Sequence, residues 1–272
     1  MPYTTVDGDV RLHYRECGSG PVLVFHPGFS GTLDSWNWLV RELAPSYRCV
    51  TFDPRGHGDS SKPDSSYTLD ELSRDVIGLI GNLELRDVTL VGHSMGGAVS
   101  LNAVLDHNAE HRITRLVLIA PAAPCFVRPE GEDAGTPLDA FTELQAGLER
   151  DWVSTVLGVG DVFYHQTDGA TARWLSELSM KMPVYLGTRL FSQLRDIDFR
   201  DRLVEVALPV LVLWGAHDKL ADPRWAEWIE KRGMPTWTVQ ILEHSGHGAA
   251  LDEPAAIAKV MGGFISDDAK RP

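Results

Sequence analysis

Ser94 stands in Gly92-His93-Ser94-Met95-Gly96-Gly97, directly after the apolar run 88–91 and directly before a helical pattern. A serine presented for nucleophilic attack needs a sharp, strained turn between a strand and a helix. Small residues on either side let the two elements approach closely. The pattern itself is short and recurs in Gly-rich turns that do no chemistry, so its weight comes from the strand–turn–helix setting.

A serine at its ordinary pKa is a poor nucleophile and needs a base, itself oriented by an acid. Asp218, in Gly215-Ala216-His217-Asp218, follows the apolar run 210–214; His247, in His244-Ser245-Gly246-His247-Gly248, follows the run 238–242. The order Ser, Asp, His, each past a different run, would bring all three to one edge of a sheet. Asp222 could stand in for Asp218, although its place before Pro223 suits a helix cap better. His244 could stand in for His247, but its nearness to the strand predicts half-burial. His93 is expected to point away from Ser94 in a structural role, and His217 to line its loop. An oxyanion hole would draw one N–H from Met95 and a second from Phe29, in His26-Pro27-Gly28-Phe29-Ser30-Gly31. An ordinary Gly-Pro turn accounts for that composition equally well.

These positions need a scaffold. Short runs rich in β-branched residues lie at 22–25, 47–52, 88–91, 116–120, 210–214 and 238–242, with helical patterns at 69–83, 97–108, 223–231 and 253–264. Strand–helix alternation of this kind predicts an α/β fold with a mostly parallel sheet covered on both faces. Its chemistry would collect at the carboxyl ends of the strands. Residues 3–16 alternate differently and predict an antiparallel hairpin at the sheet edge. Residues 121–202 lack a clear strand and carry several helical patterns. They are expected to form a helical cap between two parts of a core, 1–120 and 203–272, although a set of ordinary crossover helices fits as well. The large apolar residues Trp152, Phe163, Tyr164, Trp174, Met180, Met182 and Tyr185 would line a substrate pocket there. The alternative is plain core packing.

Of the 272 residues 43% are hydrophobic and 23% charged, with a net charge of −13. So acidic a surface repels phosphate backbones and anionic membranes, which argues against nucleic-acid and membrane partners. Three cysteines, none in a CxxC pair, suit a reducing compartment and give no metal-ligand spacing. The N-terminus shows no signal peptide and the apolar runs are too short to span a bilayer, so a cytoplasmic protein is expected.

Together with Asp53-Pro54-Arg55-Gly56-His57-Gly58-Asp59-Ser60, Trp214-Gly215-Ala216-His217-Asp218 and Ser245-Gly246-His247, the Ser94 block resembles the α/β-hydrolase superfamily from Val10 to Phe264. The resemblance implies that 121–202 is a cap over the active site and that Asp53 to Ser60 is structural. Ser94 argues against epoxide hydrolases and haloalkane dehalogenases, which carry aspartate there. Met95 argues against prolyl iminopeptidases, and Ala216 and Gly248 argue against carbon–carbon hydrolases. The esterase, lactonase and cofactor-free haloperoxidase group fits best. Pro27 departs from the His-Gly usual before the oxyanion donor, which keeps the cofactor-free oxygenases of this fold open. The expected activity is hydrolysis of an apolar carboxylic ester or lactone by Ser94, His247 and Asp218, with no metal or organic cofactor. The rival readings are a ligand-binding or signalling relative with slow turnover, carbon–carbon hydrolysis, and oxygenase chemistry.

Overall fold

A computed structural model describes residues 2–268. The chain opens with β1 (Tyr3–Thr5), β2 (Arg11–Cys17) and β3 (Val22–His26), then α1 (Asn37–Leu43), β4 (Arg48–Phe52) and α2 (Leu69–Asn82). It continues with β5 (Val88–His93), α3 (Met95–Asn102) and β6 (Ile113–Ile119). Four helices follow without a strand: α4 (Leu138–Arg150), α5 (Trp152–Phe163), α6 (Gly169–Ser179) and α7 (Val184–Ser192). The last elements are β7 (Val210–Gly215), α8 (Arg224–Lys231), β8 (Trp237–Leu242), α9 (Ala249–Asp252) and α10 (Pro254–Asp268).

The strands form one sheet in the order β1-β2-β4-β3-β5-β6-β7-β8. The edge strands β1 and β2 pair antiparallel, as does β2 with β4, and every pairing from β4 to β8 is parallel. Successive side chains of a strand point to opposite faces, and the core divides accordingly. In β7, Val210, Val212 and Trp214 pack on one side with α2, α3 and α8, while Leu211 and Leu213 pack on the other with α1 and α10. Burial on both faces explains why these strands read as continuous apolar runs.

Strand order fixes where a ligand can enter. From β3 the chain goes to β4 on one side and later returns to β5 on the other. The loops leaving β3 and β5 therefore diverge at their carboxyl ends and leave a crevice between them. His26 ends β3 and His93 ends β5, so the Pro27–Gly31 loop and the Ser94 turn border that crevice.

Asp53, just past β4, anchors one wall. Its carboxylate accepts from Leu33 N (2.8 Å) and Asp59 N (2.9 Å) and bonds His13 Nδ1 (2.9 Å). Arg55 is buried and paired to Asp75 at 2.6 Å. The Asp53 to Ser60 block thus holds the loop after β3 in place, away from the reacting groups. Among the described residues, no helix is long and apolar enough to cross a membrane.

Candidate active site

Ser94 is the link between β5 and α3, with φ 52° and ψ −121°. A non-glycine residue in this region is strained by about 1–3 kcal/mol, so the surroundings must impose it. Ser94 N donates to Ile119 O at 3.0 Å, and Ser94 O accepts from Gly97 N and Ala122 N, each at 2.9 Å. Gly92 makes the tight turn possible, since a Cβ there would stand 2.5 Å from Gly96 O and from Ser100 Oγ. β5, the start of α3 and the end of β6 together hold the serine at the top of the sheet.

His247 follows β8 and precedes α9; Asp218 follows β7. His247 Nδ1 bonds Asp218 Oδ2 at 2.8 Å, with both side chains almost fully buried. Asp218 Oδ1 accepts from Leu220 N (2.8 Å) and Ala221 N (2.9 Å), which fixes the carboxylate. A carboxylate only accepts, so Nδ1 carries the hydrogen and Nε2 is left as the basic nitrogen. Ser94 and His247 line the same cavity. Among the described residues no hydrogen bond joins Ser94 Oγ to His247 Nε2, a contact that commonly tightens only when substrate binds.

The two competing residues are engaged elsewhere. Asp222 accepts from Arg224 N (3.0 Å) and the Arg224 side chain, and reaches Gly135 N at 3.0 Å. His244 is exposed rather than half-buried, because the Glu253 carboxylate takes His244 N (2.9 Å) and Ser245 Oγ (2.6 Å) and turns the chain outward. His217 is exposed and stacks on His165, ring centroids 3.7 Å apart.

His93 differs from the sequence expectation. Its ring lines the cavity, Nε2 lies 2.9 Å from His247 O, and its centroid is 4.8 Å from that of His247. Burial, and next the proximity of His247, push its pKa down to about 3. The ring is therefore neutral at any ordinary pH and donates through Nε2. Sequence spacing could not reveal this, because it does not say which way the side chain before a strained turn points.

The loop after β3 packs directly on the serine. A Cβ on Gly28 would lie 3.0 Å from Ser94 Cβ and 3.0 Å from His93 Nδ1. Phe29 N and Met95 N donate to no other group among the described residues. Met95 opens α3, where N–H groups lack intrahelical partners and the helix dipole favours negative charge.

The cavity over Ser94 measures about 140 Å³. Its floor is the Gly28–Gly31 loop, Trp36, His93 and Ser94, and its roof comes from α4 to α7 through Leu144, Leu148, Val156, Phe163, Leu175 and Phe191. Of the seven large apolar residues expected to line a pocket, Phe163 and Tyr164 border this cavity. The other five do not line it. Trp152 is buried behind the wall, edge-on to Phe29 at 6.1 Å, with its ring against Gly187. Trp174 turns outward, 39% exposed, and packs on Trp38 at 6.0 Å. Met180 and Met182 pack into the core, and Tyr185 is exposed. Helical periodicity marks an apolar face but not which of two apolar environments it meets. Among the described residues, no Asp, Glu, Lys or Arg lines the cavity.

Among the described residues, the ligand atoms of His13, Asp53 and Asp59 lie within 4.8 Å of one another. His13 Nδ1 and Asp53 bond one another and Asp59 pairs with Lys181 at 2.9 Å, while the buried His13 Nε2 has no hydrogen-bond partner.

The chain is 27% identical over 264 residues to the AB hydrolase superfamily protein YisY of Bacillus subtilis (strain 168), covering 96% of this chain and 98% of that one. It is 28% identical over 231 residues to a non-heme haloperoxidase of Rhodococcus erythropolis, covering 81% and 83%. The structure superposes on an esterase from Exiguobacterium antarcticum with a TM-score of 0.91 at 26% identity, over 97% of this chain and 98% of that chain. Residues 23–260 match the model of the alpha/beta hydrolase family, and the chain belongs to that family.

Proposed function

We propose that the protein hydrolyses uncharged carboxylic esters or lactones through an acyl-enzyme on Ser94. The observation that carries this reading is the 2.8 Å bond between His247 Nδ1 and Asp218 Oδ2. It leaves a basic Nε2 on a ring that borders the cavity holding Ser94. In the first half-reaction His247 Nε2 takes the Ser94 proton as Oγ attacks the carbonyl carbon. The oxyanion is met by Phe29 and Met95 N–H groups. Collapse expels the alcohol, which takes the proton from His247. Water then adds to the acyl-enzyme with His247 as base again, releasing the acid and restoring Ser94. The cavity wall bears on substrate class. A carboxylate buried there would lose its hydration with no lysine or arginine among the described lining residues to offset the loss. Its volume of about 140 Å³ is close to the engineered apolar cavity of about 150 Å³ that takes benzene in another protein. A short acyl chain or one aromatic ring fits it.

The test is a series of neutral p-nitrophenyl esters alongside a fluorophosphonate probe. Multiple turnover with labelling at Ser94 alone is the expected result. Labelling elsewhere, or one slow turnover with tightly retained product, would overturn the reading. A second reading rests on the non-heme haloperoxidase relatives: hydrogen peroxide in place of water would release a peracid, able to oxidise halide. Bromination of an indicator that needs peroxide, a carboxylic acid and Ser94 together would support it.

A further inference from the structure

We propose that Asp252 is a positioning residue that straps the 163–167 segment across the loops of His247 and Asp218. The proposal rests on the acyl-enzyme reading of the site. Asp252 ends α9, five residues past His247, and its carboxylate gathers five hydrogen bonds. Oδ1 accepts from Gln166 N (2.9 Å), Thr167 N (3.0 Å) and Thr167 Oγ1 (2.8 Å). Oδ2 accepts from His165 N and from Gly246 N, each at 2.9 Å. One charged group thus joins the segment between α5 and α6 to the residue preceding His247. Hydrogen bonds to an ionised acceptor are stronger than neutral ones. Here they replace apolar burial, because His165 and Gln166 are exposed.

The strap reaches both functional loops. Gly248 N donates to Phe163 O at 2.9 Å, and the Phe163 ring meets the His247 ring edge-on at 4.8 Å. At the other end His165 stacks on His217, the neighbour of Asp218, with planes 11° apart. Phe163 and Tyr164 enter the cavity between these anchors. Releasing the carboxylate would therefore loosen the packing that orients His247 and the wall that meets the substrate.

The test compares the unsubstituted protein with Asp252→Ala, Phe163→Ala and the double variant, read by fluorophosphonate labelling rate, ester kinetics and hydrogen exchange. With Asp252→Ala, amides 165–167 and 246 should lose protection. Labelling rate and kcat should fall about 10- to 100-fold, the scale of a misplaced catalytic group, with KM changing less. The double variant should lose little more than the worse single one, since both remove the same positioning. Released amides with wild-type labelling and kcat, retained protection, or fully additive losses would each overturn the proposal. If Asp252→Ala does not fold, Asp252→Asn decides by the same readouts, because its amide hydrogens would face N–H donors. Failure to label Ser94 in the unsubstituted protein would overturn the underlying reading as well. Equal labelling of wild type and variant overturns the strap alone.

Discussion

His93 Nε2 lies 2.9 Å from the backbone oxygen of His247, so the residue before the proposed nucleophile holds the backbone of the proposed base. The turn that presents Ser94 and the loop that presents His247 are thereby registered to each other without a contact between their reacting atoms. His93→Phe, which keeps a ring but loses the donor, should lower kcat about 10- to 100-fold, as small misplacements do. His93→Gln, which can still donate, should recover part of the loss. Steady-state ester kinetics on both variants check this, and equal activity of the two would refute it.

The two aspartates of the loop after β7 should separate cleanly. Asp218→Asn should cost about 10⁴-fold in kcat, the scale seen when a triad acid becomes an amide and the histidine tautomer is lost. Asp222→Asn should leave kcat within a few-fold, because its carboxylate serves Arg224 and Gly135 N. Kinetics at neutral pH on both variants decide the matter.

Acyl preference should respond to the cavity wall and not to the outer tryptophan. Val156→Phe narrows the cavity from its roof and should penalise longer acyl chains by about 10- to 200-fold in kcat/KM. Trp174→Ala removes a ring packed on Trp38 outside the cavity. It should lower the melting temperature and leave the ranking of esters unchanged. A shifted ranking with Trp174→Ala would contradict the cavity boundary described above.

Acid should destabilise the fold through its buried histidines. Burial pushes His26 and His57 down to about 4 and His93 to about 3, from an ordinary 6.5. Between those values the unfolded chain binds protons that the native state does not. Stability is therefore full above pH 6.5 and falls as pH drops toward 4 and then 3. Melting temperatures from pH 8 to 4 should show the slope, and His57→Gln should flatten part of it.

Some of this was legible in the sequence for definite reasons. Strands buried on both faces leave unbroken apolar runs, so β3 to β7 stand out, and the residues just past them are forced to one sheet edge. Ser94 and Asp218 could be singled out on that ground, and His247 by its place past β8, an edge strand half-exposed to solvent. The short helix α1 leaves little signal in the sequence, since its 7 residues make only two turns and bury just Leu39 and Leu43. In the helical segment, Trp152 and Trp174 belong to apolar faces that look alike in sequence. Only packing separates a buried backing residue from an outward one. Asp252 left no pattern at all, because its partners among residues 165–167 and 246 are mostly backbone amides, which every residue type but proline supplies.

That last property has an evolutionary side. A clasp made to main-chain amides places almost no demand on the side chain of Gln166, whereas His165 keeps its stack on His217 and Thr167 its hydroxyl bond. The helical segment between β6 and β7 is in this sense modular in sequence but not in its boundaries. A transplant of residues 121–202 into another relative would carry the held segment and leave its clasp, Asp252, behind. A chimera should therefore be cut so that the recipient offers a carboxylate at the end of the helix equivalent to α9.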